Sequence, residues 1–222
     1  ASCRSARSGK GNDVIGFDAI ALLRRPAATE RTRVLDEGQQ FIELRSTDLD
    51  RLVAAYRANG MSGRPERLQR RFDHGMRCFG IDERGELIAW FWALHGVPRY
   101  FDELAWQIPL STTQVWLRDA FVVPRRRGRR LLIAMMGAGI DVEATPAEYF
   151  SDVSVSNLPS LRAHRSLGFE RFATVRCLRV GARGFWRSAP PAGLPPPTGL
   201  RAEAKRLVLS PEELAWHRAQ MA

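Results

Sequence analysis

The segment Glu86–His95 constrains the fold more than any other feature of the sequence, because it is apolar on both of its faces. Successive side chains of a β-strand point to opposite sides of the sheet. Here the two sides carry Ile88, Trp90 and Trp92 against Leu87, Ala89 and Phe91. Such a strand needs cover on both faces, which predicts an interior strand of a sheet with helices on both sides.

Other segments supply the remaining elements of a layered fold. Arg77–Ile81 leads through the turn Asp82-Glu83-Arg84-Gly85 into the apolar strand, which predicts a hairpin. Four more strands are expected over Phe41–Arg45, Gln114–Val123, Tyr149–Val155 and Phe172–Val180. Helical spacing and capping residues predict helices between Ser46-Thr47-Asp48 and Asn59-Gly60, and over Pro65–Phe72, Leu131–Ala144 and Leu158–Leu167. We therefore expect a mixed α/β domain with helices inserted between strands.

The two ends of the chain differ in composition from this domain, which we place at residues 36–188. Residues 1–35 are polar and basic and are interpreted as an arm outside the domain, with an extra strand as the alternative. Ala189–Pro197 contains five prolines and predicts a semi-rigid linker. Ser210-Pro211-Glu212-Glu213 then starts a last helix, expected to dock on the domain or, in a homodimer, on a neighbouring subunit.

Charge and composition narrow the possible functions. The net charge is +10, but the arginines are spread along the chain, so a solvated surface is favoured over nucleic-acid binding. No apolar run approaches the ~18 residues of a membrane span, and the first ten residues carry no apolar run that would indicate a signal peptide. The three cysteines are widely spaced, so we expect neither a disulfide framework nor a metal site, and a cytoplasmic location.

The segment Leu117–Arg130 carries the clearest chemistry. A strand runs into a turn with five arginines and then directly into the first turn of a helix. Unpaired backbone N–H groups and the helix dipole favour an anion there, and Gly128 lets the backbone approach a ligand closely. The segment therefore predicts a diphosphate-bearing ligand, with a solvated basic turn as the alternative.

Two motifs in this region resemble those of a known superfamily. Val122-x-Pro124-x-x-Arg127-Gly128 before an apolar helix resembles motif A of the GNAT superfamily of acyl-CoA-dependent N-acetyltransferases. Asn157-x-x-Ser160-x-x-x-His164-x-x-x-Gly168-Phe169 resembles its motif B. The family pattern continues after Arg-Gly with two further glycines, and here those places hold Arg130 and Leu132.

The resemblance implies a GNAT-like fold, with a mixed but mostly antiparallel sheet in which Gln114–Val123 and Tyr149–Val155 splay apart around acetyl-CoA. The pantetheine arm would lie along Phe121, Val122 and Val123, flanked by Asn157 and Ser160. The pyrophosphate would lie on the arginine-rich turn, formed by Arg125, Arg126, Arg127, Gly128, Arg129 and Arg130.

The resemblance also suggests catalytic residues for acetyl transfer to an amine. Asp152 occupies a place where some relatives have a glutamate base, and Asp119 is the alternative base. Arg118 replaces the acidic residue that usually precedes this aspartate. His164 stands where motif B commonly has a tyrosine acid, so it either donates a proton to the departing thiolate or packs under coenzyme A.

Three functions fit these observations. The first is an acetyl-CoA-dependent N-acetyltransferase acting on the primary amine of a small molecule, for which an amino sugar is one acceptor. The second is acetylation of protein N-termini or lysine side chains. The third is a catalytically degenerate domain that senses acyl-CoA. The sequence leaves the acceptor and the acyl chain length open.

Overall fold

The computed structural model describes residues 15–26, 35–101, 106–142, 148–180 and 183–186. The strands are β1 (Ile15–Arg25), β2 (Gln39–Leu44), β3 (Arg77–Glu83), β4 (Glu86–His95), β5 (Arg99–Phe101), β6 (Trp106–Ile108), β7 (Gln114–Val122), β8 (Glu148–Ser154), β9 (Glu170–Val180) and β10 (Arg183–Trp186). The helices are α1 (Leu49–Ala58), α2 (Pro65–Asp73), α3 (Leu131–Asp141) and α4 (Leu158–Ser166). Among these described helices, none has the length and apolar character that crossing a membrane requires.

Eight strands form one sheet in the order β10-β9-β1-β8-β7-β4-β3-β2. Every neighbouring pair is antiparallel except β7 and β8, which run parallel. The predicted mixed, mostly antiparallel sheet is therefore confirmed. β5 and β6 form a separate two-stranded ribbon in the connection between β4 and β7, which the sequence pattern did not predict.

Strand β1 corrects the predicted domain boundary. It lies inside the sheet, paired with β8 on one side and β9 on the other, so Ile15–Arg25 belongs to the domain and not to an arm. Its apolar stretch explains this position, because Ala21 and Leu22 are fully buried. Of the other terminal predictions, the linker and last helix at 189–222 lie outside the described residues, as do positions 1–14.

Helices cover both faces of β4, as its two apolar sides predict. On one face Tyr56 of α1 stacks on Trp90 with ring centroids 5.3 Å apart, and its hydroxyl accepts the Trp92 indole N–H at 3.0 Å. On the other face α3 approaches so closely that a Cβ atom at Gly139 would lie 2.4 Å from the Phe91 ring. We call these the α1/α2 face and the α3/α4 face.

The β3–β4 hairpin is tighter than predicted. β3 extends two residues beyond the predicted Arg77–Ile81, β4 has the predicted bounds, and only Arg84 and Gly85 remain as the turn. Both have positive φ, at 54° and 88°, as two-residue hairpin loops require to match the twist of the strands. The hairpin therefore carries its acidic residues, Glu83 and Glu86, up to the end of the sheet where β7 leads into α3.

Candidate functional site

Strands β7 and β8 pair over a short stretch and then separate. Their parallel ladder runs from Gln114 with Glu148 as far as Leu117 with Ser151. Beyond that point β7 follows β4 and β8 follows β1, so the facing edges of the two strands open into a gap. This opening, which we call the fork, is the gap between splayed strands that the motifs led us to expect.

A β-bulge in β7 accompanies the fork. The pairing with β4 shifts between Trp90 and Trp92, and Asp119 adopts a left-handed backbone with φ 51°. Bulges increase local twist and interrupt the alternation of side chains. As a result the side chains of both Arg118 and Asp119 lie on the α1/α2 face, where Arg118 is opposite Trp92 and Arg71 of α2 reaches Asp119.

Asp119 is held between the buried guanidinium of Arg71 and the half-buried guanidinium of Arg118. Arg71 Nη2 donates to its Oδ2 at 2.8 Å, and Arg118 Nε donates to the same oxygen at 3.1 Å. Burial opposes ionisation of Asp119, but the charges of Arg118 and Arg71 outweigh it and hold its pKa well below the usual range. Such a carboxylate is ionised at neutral pH and is a weak proton acceptor.

Asp152 is the first β8 residue after the closed end of the fork, and it has partners that the sequence did not reveal. Its carboxylate accepts three hydrogen bonds of 3.2–3.3 Å from Arg99 and a bond of 2.7 Å from the Trp116 indole. Arg99 comes from the ribbon strand β5, and no sequence pattern relates it to a residue 53 positions away. The Asp152 side chain keeps 21% of its surface exposed, next to the closed end of the fork.

His164 lies on the other side of the sheet, on the α3/α4 face, and is 3% exposed. Its Nδ1 donates to the Ser160 carbonyl at 2.8 Å, which leaves Nε2 to accept the Ser151 hydroxyl at 2.9 Å. Burial lowers the pKa of His164, so the imidazole is neutral. Ser151, which the motifs did not single out, is the β8 residue at the closed end of the fork.

The arginines of the basic turn differ in their contacts with the rest of the domain. Arg125 forms an ion pair with Glu86, and Arg126 forms one with Glu83, both in the β3–β4 hairpin. Arg127 folds back, donating its Nε to the Val122 carbonyl at 3.1 Å, with its guanidinium 5.5 Å from the Phe121 ring centroid. These contacts neutralise part of the charge that the sequence places at the turn.

The remainder of the turn is open and rich in donors. Arg129 and Arg130 are exposed. Within the described structure, the amides of residues 128–132 donate no hydrogen bond. Gly128 and Arg130 both have left-handed φ, at 81° and 58°, and a Cβ atom at Gly128 would meet nothing within 4 Å. Successive unpaired amides at a helix start form a concave anion site.

Asn157 and Ser160 begin α4 just beyond the end of β8. The Asn157 side chain caps the helix by accepting the Ser160 amide at 3.3 Å, and both residues are half-buried. They lie at the open end of β8, where Asn157 has a structural role as the N-cap of the helix.

We predict that Gly128→Ala weakens coenzyme A binding by about tenfold or more, because a methyl group and left-handed strain enter the donor-rich turn. Gly60→Ala is the matched control, since Gly60 also has a left-handed φ, of 69°, and also has open space around its Cβ position. Calorimetry should show an unchanged affinity for the control. Equal affinity of both variants for coenzyme A would show that the ligand does not bind at this turn.

Solved structures with this fold share little sequence with the chain. No protein-family model matches the sequence, and no curated protein does so either. A GNAT-family acetyltransferase from Colwellia psychrerythraea superposes with a TM-score of 0.52 at 15% identity, over 78% of this chain and 57% of that one. A GCN5-related N-acetyltransferase from Kribbella flavida gives 0.50 at 12% identity, over 82% and 63%.

A Drosophila protein gives a TM-score of 0.52 at 16% identity, over 75% of this chain and 52% of that one. The chain thus spans between about half and two thirds of the length of these solved structures. The chain has the fold of the GNAT acetyltransferases.

Proposed function

We propose that the protein is an acetyl-CoA-dependent N-acetyltransferase of the GNAT superfamily that acts on the primary amine of a small molecule. The observation that carries this proposal is the continuity of the fork with the turn before α3. An open strand edge leads along β7 to a helix start whose amides are unpaired in the described structure. A long ligand with a peptide-like arm and a diphosphate matches both parts.

The chain offers a specific set of groups for coenzyme A. The Val123 amide bonds to Ile88 on β4, so the backbone groups of Val122 point to the opposite side, into the gap. These groups would pair with the pantetheine amides, and the amides of residues 128–132 would hold the pyrophosphate. Arg127 covers the Val122 carbonyl and would move aside to let the arm bind there.

Asp152 is the base in this proposal. The amine nitrogen attacks the thioester carbon and loses a proton, while the carbon–sulfur bond breaks and its electron pair leaves with the thiolate. The Asp152 carboxylate, next to the closed end of the fork, would receive that proton directly or through a water. Because its pKa is low, Asp119 has a structural role in this proposal: its negative charge pairs with the guanidiniums of Arg71 and Arg118.

The hydrogen bonds of His164 do not fit its expected role as a general acid. A neutral imidazole whose Nδ1 donates to a carbonyl has no proton on Nε2 to pass on. We therefore give His164 a positioning role, in which it fixes α4 and Ser151 at the closed end of the fork. The expected cytoplasmic location and the homodimer remain predictions from the sequence.

Release of free thiol from acetyl-CoA, followed by mass spectrometry of the acceptor, tests the proposed function. The acceptors would be free amino acids, simple amines, glucosamine and short peptides. We expect turnover with small amines and little with peptides. Turnover with peptides alone would favour a protein acetyltransferase, and tight acetyl-CoA binding without any turnover would favour a sensor.

A further inference from the structure

A serine and a histidine are hydrogen-bonded to each other at the closed end of the fork, and direct transfer to an amine gives neither of them a chemical step. The Ser151 hydroxyl lies 2.9 Å from Nε2 of His164. The other ring nitrogen, Nδ1, donates to the Ser160 carbonyl at 2.8 Å. A hydroxyl, an imidazole and a third group that orients the imidazole form the arrangement that activates serine nucleophiles.

The tautomer of His164 is the one that a base in this arrangement needs. With its proton on Nδ1, the ring presents the lone pair of Nε2 to the Ser151 hydroxyl. Burial lowers the pKa of His164, so this lone pair carries no proton at neutral pH. The tautomer that prevents the imidazole from acting as an acid therefore allows it to accept the proton of Ser151.

The position of Ser151 suits an attack on a thioester. Ser151 belongs to the last paired residues of β7 and β8, so the acyl end of a ligand that fills the fork would stop beside it. Ser151 and His164 are each 3% exposed, so the pair is shielded from bulk solvent. Asp152 follows Ser151 along the strand and points to the opposite face of the sheet. A planar thioester between them has one face towards the Asp152 side, where the amine would approach, and the other towards Ser151.

We propose that Ser151 is a nucleophile that takes the acetyl group from acetyl-CoA, and that the protein hydrolyses acetyl-CoA through this acetyl-serine when no amine is bound. The inference rests on the proposed function for the position of acetyl-CoA in the fork, but not for the transfer to an amine. It gives the protein a second activity, that of an acyl-CoA thioesterase, with Ser151 as nucleophile and His164 as base.

The protons of both steps pass through Nε2 of His164. The Ser151 oxygen attacks the thioester carbon while its proton passes to Nε2. The carbon–sulfur bond breaks, its electron pair leaves with the sulfur of coenzyme A, and this thiolate takes the proton from Nε2. Water then attacks the acetyl carbon and gives one proton to Nε2. The bond between that carbon and the Ser151 oxygen breaks, the serine oxygen recovers the proton, and acetic acid leaves and ionises.

Acetyl-CoA added to the protein without any amine tests this inference. After an acid quench at early times, intact-protein mass spectrometry should show a species heavier by one acetyl group, and peptide mapping should locate that group on Ser151. The chain has only two lysines, Lys10 and Lys205, so the mapping distinguishes acetyl-serine from lysines acetylated by the reagent itself. Free thiol and acetate should both accumulate over many turnovers.

The variant Ser151→Ala should lower thiol release in the absence of an amine by about 10²-fold or more, because neither the nucleophile nor the assistance of its base remains. Ser151→Cys keeps a nucleophile and should still take up the acetyl group. Ser154→Ala is the matched control, because Ser154 lies on the same strand and its hydroxyl pairs with the Ser156 hydroxyl at 2.9 Å. The control should keep the wild-type rate.

The outcomes separate this inference from the proposed function. Acetyl-Ser151 in the quenched wild type supports the inference, even if no amine is acetylated or the variants fold poorly. Acetylation of amines by a protein that forms no acetyl-Ser151 overturns the inference while the function stands. Equal thiol release by Ser151→Ala and the wild type also overturns it, since water would then attack the thioester directly. Calorimetry that shows no binding of acetyl-CoA overturns both.

Discussion

Asp152→Asn is expected to lower kcat by roughly 10²-fold or more while leaving coenzyme A affinity almost unchanged, the usual size of general-base assistance. The amide keeps the shape of the carboxylate but cannot take a proton from the amine. Because Asp152 also accepts hydrogen bonds from Arg99 and Trp116, the variant needs a folding check by circular dichroism and a melting curve.

The control for this experiment is Asp82→Asn. Asp82 pairs with Arg51 and has a side-chain exposure of 16%, close to the 21% of Asp152, but it lies in the β3–β4 hairpin. Loss of an ion pair alone should therefore affect both variants alike, and only Asp152→Asn should lose turnover. Near-wild-type kcat in a folded Asp152→Asn protein would show that Asp152 is not the base.

Asp119→Asn should lower the free energy of unfolding by ~3–5 kcal/mol, because it removes the carboxylate that pairs with the buried guanidinium of Arg71. Arg71 is 1% exposed, so water cannot replace the lost partner. Glu43→Gln, which breaks the exposed pair with Arg77, should cost less than ~1 kcal/mol. Urea denaturation of the two variants and the wild type measures the difference.

The pH dependence of that difference has a defined sign. The pKa of Asp119 is depressed in the folded protein, so its contribution to stability is complete above the ~3.9 of an unfolded aspartate. The contribution is lost as the pH falls below that value towards the folded pKa. The wild type and Asp119→Asn should therefore converge in stability in acid, and a constant gap down to acidic pH would contradict the ion-pair account.

The layers of the fold could be predicted because the pattern that specifies them is local. The two apolar faces of β4 require helices on both sides, and the strand, turn and helix at Leu117–Arg130 follow from adjacent residues. The fork, in contrast, was expected from the resemblance to the GNAT motifs and not from a local pattern. Periodicity and motif spacing are sufficient wherever neighbours in sequence determine the structure.

Other features depend on contacts between distant segments, which no local pattern records. The position of β1 between β8 and β9 follows from the pairing of the whole sheet. The ion pairs of Arg125 and Arg126 arise because the β3–β4 hairpin ends beside the turn before α3. The charge at that turn was predicted from the sequence, but its partial neutralisation was not.

The charged residues next to the closed end of the fork illustrate the same limit. Asp119 and Asp152 could be proposed as bases from motif spacing, but their partners Arg71 and Arg99 come from α2 and β5. The bulge at Asp119 places that residue on the same face as Arg118, against the simple alternation of a strand. Only the assembled site shows that Asp119 pairs with two arginines, whereas Asp152 pairs with Arg99 and accepts the Trp116 indole N–H.

A structure of the protein with acetyl-CoA tests the central claim most directly. The account predicts density along the gap-facing edge of β7, with the pyrophosphate on the amides of residues 128–132 and Arg127 displaced from the Val122 carbonyl. The thioester should end between Arg118 and Asp152. Two results would contradict the account: acetyl-CoA bound elsewhere, or Arg127 still bonded to the Val122 carbonyl at saturating acetyl-CoA.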